Sequence, residues 1–281
     1  MIVNLPTVVV PVFNGFAALD ACVASLERTL PPGAAVLIAD DASSDPHVEP
    51  LARGWCYRSK LAARYVRREQ RLGLAANCNA AISAIDSEDV VLFKPSAVAT
   101  PGWLQQLAQC AAHDLRIASI NPWSNDAELC SFPRFAEPNP APEFPEVLAE
   151  AAASAAWTDS PDLPATSGAC IYLRGAALRQ LGGLDSGTFV GDNAAEDFCR
   201  RAAAMGWRNV LCPRAYVVTG GSESRELADG EDRFRLLCRW PDYQEQVARF
   251  ILSDSLRPWR ECLQTRLEEL ARSGPQRDLF N

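Results

Sequence analysis

The sequence predicts an α/β protein: a single Rossmann-like, mostly parallel sheet with flanking helices and a helical C-terminal extension. Three observations carry this. Short aliphatic and β-branched runs recur from residue 7 to residue 93. Segments with helical spacing separate them. The 281 residues are 48% hydrophobic and 22% charged, enough for a sizeable core without disulfide staples.

Thr7 to Val12 reads as a buried strand, broken by Asn14-Gly15. Phe16, Leu19, Val23, Leu26 and Leu30 then share one helical face, and Pro31-Pro32-Gly33 ends that helix. Ala35 to Ala39 is a second apolar run, closing on Asp40-Asp41-Ala42-Ser43-Ser44-Asp45. Tyr65-Val66 marks a weaker third strand. Leu74 to Ile85 reads as a helix with Cys78, Ala81, Ile82 and Ile85 inward, and Val90 to Phe93 as a fourth strand. Pro101 is expected in the first turn of a helix carrying Leu104, Leu107, Ala108 and Ala111. Strands alternating with helices imply right-handed parallel crossovers.

The pattern changes after residue 120. Eight of the 20 prolines fall between Pro122 and Pro164, which predicts a loop-rich connection or lid over 121–165. Regular signals resume with a strand at Gly168–Leu173, a helix at Ala176–Leu181 and a Gly182-Gly183 turn. A helix over Asp197–Met205 and strands at Asn209–Cys212 and Ala215–Thr219 follow. Glu231 to Ser273 reads as helical, interrupted at Pro241 and Pro258. The expected division is a domain over 1–222, made of a 1–120 half, the 121–165 connection and a 166–222 half, then an extension over 223–281.

Composition excludes several functions. A formal charge of −8 argues against nucleic-acid binding, which needs a basic face. The two histidines, His47 and His113, cannot build a histidine-rich zinc centre. Ten cysteines without any CxxC fit reduced core thiols in a cytoplasmic protein. The apolar N-terminus has no basic n-region or small-residue cleavage site, and no 18-residue apolar run exists. GxGxxG, GxxxxGK[ST] and GxSxG are all missing.

Carboxylates offer the chemistry. In open α/β sheets ligands sit beyond the carboxyl ends of the strands, where Asp40 and Asp41 fall. Such side chains accept hydrogen bonds from a base or ribose, or simply cap a turn with Ser43, Ser44 and Asp45. Glu196-Asp197 opens a helix, where the dipole favours carboxylates, and also stands where a general base would be useful.

Together these segments resemble the family 2 glycosyltransferases of GT-A fold. VVVPVFNGFAALDACVASL followed by VLIADDASSD is similar to the family's opening, and RLGLAANCNAAI to its next helix entry. DVVLFKPSAVATPGWLQQL is similar to its strand, metal-site loop and helix. SGACIYLRGAALRQLGGLD and AAEDFCRRAAAMGWRNVLCPRAYVVTGGS resemble its acceptor half. The resemblance spans about residues 7–115 and 166–222. It implies a nucleoside-diphosphate-sugar donor, a glycan or glycoconjugate acceptor such as a bacterial surface polysaccharide, and an inverting displacement. It places Pro11, Val12 and Phe13 along the base, Asp40 on the base or ribose with Asp41 beside it, and Arg71 near the base and phosphates. Asp197 or Glu196 would be the catalytic base.

The sequence departs from the family where a divalent metal is expected. The acidic metal loop reads Lys94 and Ser96, in KPSA, and a late histidine is replaced by Thr219. Hard cations want oxygen ligands, mostly carboxylates, so no metal ligand is assigned and no cofactor is expected. A longer motif form, aligned on Asp197-Phe198-Cys199, puts its two glutamates on Ala194 and Ala195. Two readings follow. Either Lys94 and Ser96 meet the diphosphate directly in a metal-independent transferase, or the chain binds a nucleotide, glycan or partner without catalysis. A nucleotidyltransferase is disfavoured, because PVFNGF lacks that class's glycine-rich basic loop. The location expected is cytoplasmic, with peripheral contact to a membrane's inner face or to a partner protein left open, like the oligomeric state.

Overall fold

The computed structural model describes residues 4–85, 89–220 and 229–273. The first four strands are β1 (Thr7–Val12), β2 (Ala35–Asp40), β3 (Ala62–Arg67) and β4 (Val90–Phe93). Helices α1 (Phe16–Thr29), α2 (Val48–Arg58) and α3 (Leu74–Ile82) connect them. Next come β5 (Ala97–Ala99), α4 (Trp103–His113), β6 (Ile117–Trp123), α5 (Pro145–Ser154) and β7 (Cys170–Leu173). The chain continues through α6 (Gly175–Leu181), α7 (Asn193–Ala204) and β8 (Arg208–Thr219). The extension is α8 (Asp229–Arg239), α9 (Tyr243–Leu252) and α10 (Arg257–Ser273).

One eight-stranded sheet runs in the order β3-β2-β1-β4-β7-β6-β8-β5. The pairs β3/β2, β2/β1, β1/β4 and β6/β8 are parallel, and β7 runs antiparallel to both its neighbours. Burial on both faces explains the unbroken apolar runs of β1, β2 and β4. One hydrophobic layer joins α1, α2 and α4 to the sheet, and a second joins α3, α5, α6, α7 and the extension. Pairing of β1 with β4 stops at Val9–Leu92, while β1 follows β2 on to Val12–Asp40. Pro11 lies in that last stretch, at the carboxyl end of the sheet where the site forms.

Several expectations are corrected. The 121–165 connection is not all loop: it begins with the end of β6 and holds α5, which starts on Pro145. Proline at a first helical position gives up only an amide that has no intrahelical acceptor. α4 begins at Trp103 behind Gly102, whose φ of 77° leaves Pro101 in the preceding turn. The strands read at 209–212 and 215–219 are one strand, irregular where Pro213 supplies no N–H. α7 starts at Asn193, so Asp192 rather than Glu196 stands at its N-cap. The expected boundary at 222/223 lies outside the described residues. All ten cysteines are free, and six are buried. Among the described residues no helix is long and apolar enough to cross a membrane.

Candidate functional site

A small cleft opens at the carboxyl ends of β1 and β4. Pro11, Leu92 and Lys94 form its floor, Leu74, Ala75 and Cys78 of α3 one wall, and Gly191, Asp192, Ala194 and Ala195 the other. Of its lining residues only Lys94 and Asp192 carry charge. They bind each other, with Nζ 2.5 Å from Oδ1, and their side chains are 24% and 50% exposed. Lys94 is held by backbone bonds of its tight turn: its N–H donates to Ala169 O and its carbonyl accepts from Ala97 N. It is one of only two lysines among 27 basic residues, the other being the exposed Lys60. The carboxylate of Asp192 makes no capping bond to α7.

Beside the cleft, Asp40 is buried and its carboxylate has three partners. It accepts from Ser43 N at 2.8 Å, Tyr65 Oη at 2.5 Å and Arg67 Nη1 at 2.8 Å. Burial alone would raise its pKa, but the bonds from Ser43 and Tyr65 and the Arg67 charge hold it below the usual carboxylate range. Asp41 accepts from the backbone N–H of Leu72 and Gly73 at 2.7 and 2.9 Å, and its own N–H donates to Val12 O. Val12 packs inward, whereas Phe13 is exposed and carries the Arg71 guanidinium 3.8 Å above its ring. That stack forms a flat, cationic platform just beyond the end of β1.

The sequence-predicted residues therefore divide. Pro11 and Lys94 meet in the cleft; Val12 and Asp40 end the adjoining strands β1 and β2, and Phe13, Asp41 and Arg71 lie in the loops beyond the strands. Ser96 sits in the Lys94 turn with its carbonyl accepting from Gly220 N at 2.7 Å. The two carboxylates expected to act as base are not among the cleft's lining residues. Asp197 is fully buried; its oxygens accept from Arg201 Nε at 2.7 Å, Arg239 Nη1 at 3.0 Å and Trp240 Nε1 at 3.0 Å. Glu196 accepts from Asn193 Nδ2 at 2.8 Å and Arg233 Nη1 at 3.0 Å. Burial and the nearby charge of Glu128 push its pKa up to about 7, against the pull of Arg233 and Asn193.

The metal expected of the resembled family does not fit these residues. Lys94 brings a cation where an anion is needed. Thr219 is tied to the loop after β6, with its hydroxyl 2.8 Å from Ser124 Oγ and its backbone bonded to Asn125. Among the described residues no three His, Cys, Asp or Glu side chains cluster to hold a cation. Sequence reasoning missed Asp192, hidden beside the more conspicuous Glu196-Asp197 pair. The signal was available: with alanine at 194 and 195, Asp192 is the nearest carboxylate upstream.

Residues 7–129 match the family model described as Glycosyl transferase family 2. No curated protein matches the chain. Among solved structures, the mannosyltransferase PcManGT from Pyrobaculum calidifontis, in complex with GDP-Man and Mn2+, superposes with a TM-score of 0.62 at 18% identity. The alignment covers 98% of this chain and 79% of that one. GalNAc-T7 with UDP, GalNAc and Mn2+ gives 0.62 at 16% identity, over 95% of this chain and 57% of that one. The 1–349 portion of TarS from S. aureus gives 0.56 at 14% identity, over 97% and 92%. The fold is that of the GT-A glycosyltransferases, and the family model finds again the first segment of the resemblance read from the sequence, within residues 7–129.

Proposed function

We propose that the chain transfers a sugar from a nucleoside-diphosphate sugar to a hydroxyl of a glycan or glycoconjugate, with inversion and without a metal. The observation that carries this reading is the Lys94–Asp192 pair in the cleft at the end of β4. The neighbours described with GDP-Man or UDP also hold Mn2+, whereas here an ammonium stands in the metal loop. Losing a bound cation forfeits several kcal/mol of transition-state stabilisation. A well-placed donor recovers about 2.7–4 kcal/mol of that.

In this mechanism the donor's diphosphate takes Lys94 away from Asp192. The freed carboxylate accepts the acceptor's hydroxyl proton as that oxygen bonds to the anomeric carbon. The bond from that carbon to the diphosphate oxygen breaks on the opposite side, and the nucleoside diphosphate leaves with its charge against Lys94. Phe13 with Arg71 flanks the base, while Asp40 and Asp41 hold the loops that shape its pocket. Asp192 is preferred to Asp197 and Glu196 as base because it lines the cleft and is half exposed.

Calorimetry with UDP and GDP in EDTA tests the reading. Binding to the native chain and a loss of about 10- to 100-fold in Lys94→Ala are expected, against little change in Ser96→Ala. Failure of both diphosphates to bind without a divalent ion would overturn it. A second reading, binding without turnover, is favoured by one observation: Ala194 and Ala195 line the cleft where the longer motif has carboxylates. Slow release of nucleoside diphosphate from a bound nucleotide sugar, abolished by Asp192→Asn, separates the two.

A further inference from the structure

Asp192 ends an irregular stretch, residues 183–192, between α6 and α7. Such a segment needs outside contacts to hold a side chain in one place. α3 and α7 hold its start, through Asn79 on Leu184 and Arg201 on Gly183, and α8 holds much of the rest. Asp232, only 3% exposed, accepts the consecutive N–H groups of Val190 and Gly191, both on Oδ2 and both at 2.8 Å. Arg235 donates to Thr188 O at 3.0 Å, and Arg239 to Asp185 Oδ2 at 2.7 Å.

The opposite side of the stretch meets the far rim of the cleft. Ala75 N donates to Val190 O at 3.1 Å. Gly73 lies so close that a Cβ there would stand 2.6 Å from Val190 Cγ1. Asp41 fixes that rim by the same device, taking Leu72 N and Gly73 N. Two buried aspartates thus each bind two consecutive amides, and the two loops meet over the cleft. Removing such an acceptor leaves part-buried donors without partners, which is costly unless the backbone moves to reach water.

We propose that Asp232 is a positioning residue: through the amides of Val190 and Gly191 it sets Asp192 against Lys94, which makes the C-terminal extension part of the site. The inference rests on the reading of Lys94 and Asp192 as the working pair. It has a distinctive consequence. Releasing the loop takes Asp192 off Lys94, so an incoming diphosphate no longer competes with that carboxylate. Nucleotide affinity then holds or rises while turnover falls, whereas general damage to the site would lower both.

The two lysines supply a test that needs no substrate. Native chain and variants are acetylated with an N-hydroxysuccinimide ester, and the Lys94:Lys60 labelling ratio is read by mass spectrometry. Asp232→Ala is expected to raise the ratio about fivefold, and Asp232→Asn, whose Oδ1 can still accept both amides, to leave it native. In parallel, Asp232→Ala should bind UDP or GDP no more weakly than native while releasing nucleoside diphosphate from its sugar conjugate at least about tenfold more slowly, with Asp232→Asn restoring both. If Asp232→Ala does not fold, Asp232→Ser replaces it, since its short hydroxyl cannot span both amides. An unchanged ratio in the alanine or serine variant overturns the proposal, as does weaker nucleotide binding in step with lost turnover. If the native chain binds neither diphosphate, the proposed function fails, and the labelling ratio still decides the positioning.

Discussion

Two faces of α7 carry opposite chemistry. Its first turn turns Ala194 and Ala195 to the cleft. The next two residues, Glu196 and Asp197, are buried against the extension, bonded to Arg233, Arg239 and Trp240. The carboxylates within α7 therefore join two parts of the fold, and the face of the helix that lines the cleft carries none, leaving Asp192 at its N-cap as the carboxylate of the cleft. Proximity in sequence to a catalytic motif does not make an acid catalytic; what its oxygens already bind decides.

The largest expected effect breaks or confirms that contrast. Asp197→Ala leaves Arg201 Nε, Arg239 Nη1 and Trp240 Nε1 without their acceptor in a buried setting. Losing one partner of a buried ion pair costs about 3–5 kcal/mol. Urea unfolding should show this destabilisation, with UDP or GDP affinity of the folded protein unchanged. Lost turnover at native stability would instead put Asp197 in the chemistry.

Glu196 gives the next effect, through pH. Its pKa is raised from 4.5 to about 7 in the folded chain, so between those values the folded state binds more protons than the unfolded state. Stability from this group is fully present below about pH 4.5 and falls as pH rises through 7, by up to about 3 kcal/mol. Glu196→Gln should flatten that part of the stability profile while leaving nucleotide binding intact. An unchanged slope would mean that Arg233 keeps the carboxylate ionised throughout.

A smaller effect is expected where the two loops meet. Gly73 has φ 89°, and a Cβ would collide with Val190. Gly73→Ala should cost about 1–2 kcal/mol from the backbone alone, read as a lower melting temperature. It should also part the loops and raise Lys94 labelling, as Asp232→Ala does. A native ratio would show that the α8 side holds Asp192 by itself.

The first half of the fold was legible because parallel strands buried on both faces leave long apolar runs, as in β1 and β2. α2 escaped notice because only Val48, Ala52 and Trp55 of its 11 residues are buried, too sparse a stripe to read. α5 was hidden by surrounding prolines, although Pro145 occupies a position that helices accept. In the site, Lys94 was legible because it stands in a loop with a strong pattern. Asp192 and Asp232 were not. The roles proposed for them come from contacts across 98 and more than 40 positions of sequence, made by residues that read locally as ordinary turn and helix-surface acids.

The smallest effect is a matter of sign. Where carboxylates hold a metal, adding Mn2+ to the apo protein raises affinity for a nucleoside diphosphate. Here the floor of the cleft is an ammonium. Mn2+ bound to free UDP or GDP would neutralise the charge that Lys94 attracts and bring a second cation close to it, an unfavourable contact in a half-buried site. Affinity measured by calorimetry should therefore stay level or fall about twofold when Mn2+ replaces EDTA. A rise would mean that Asp192 leaves Lys94 to bind the ion, and the ammonium would then be a companion of the metal rather than its replacement.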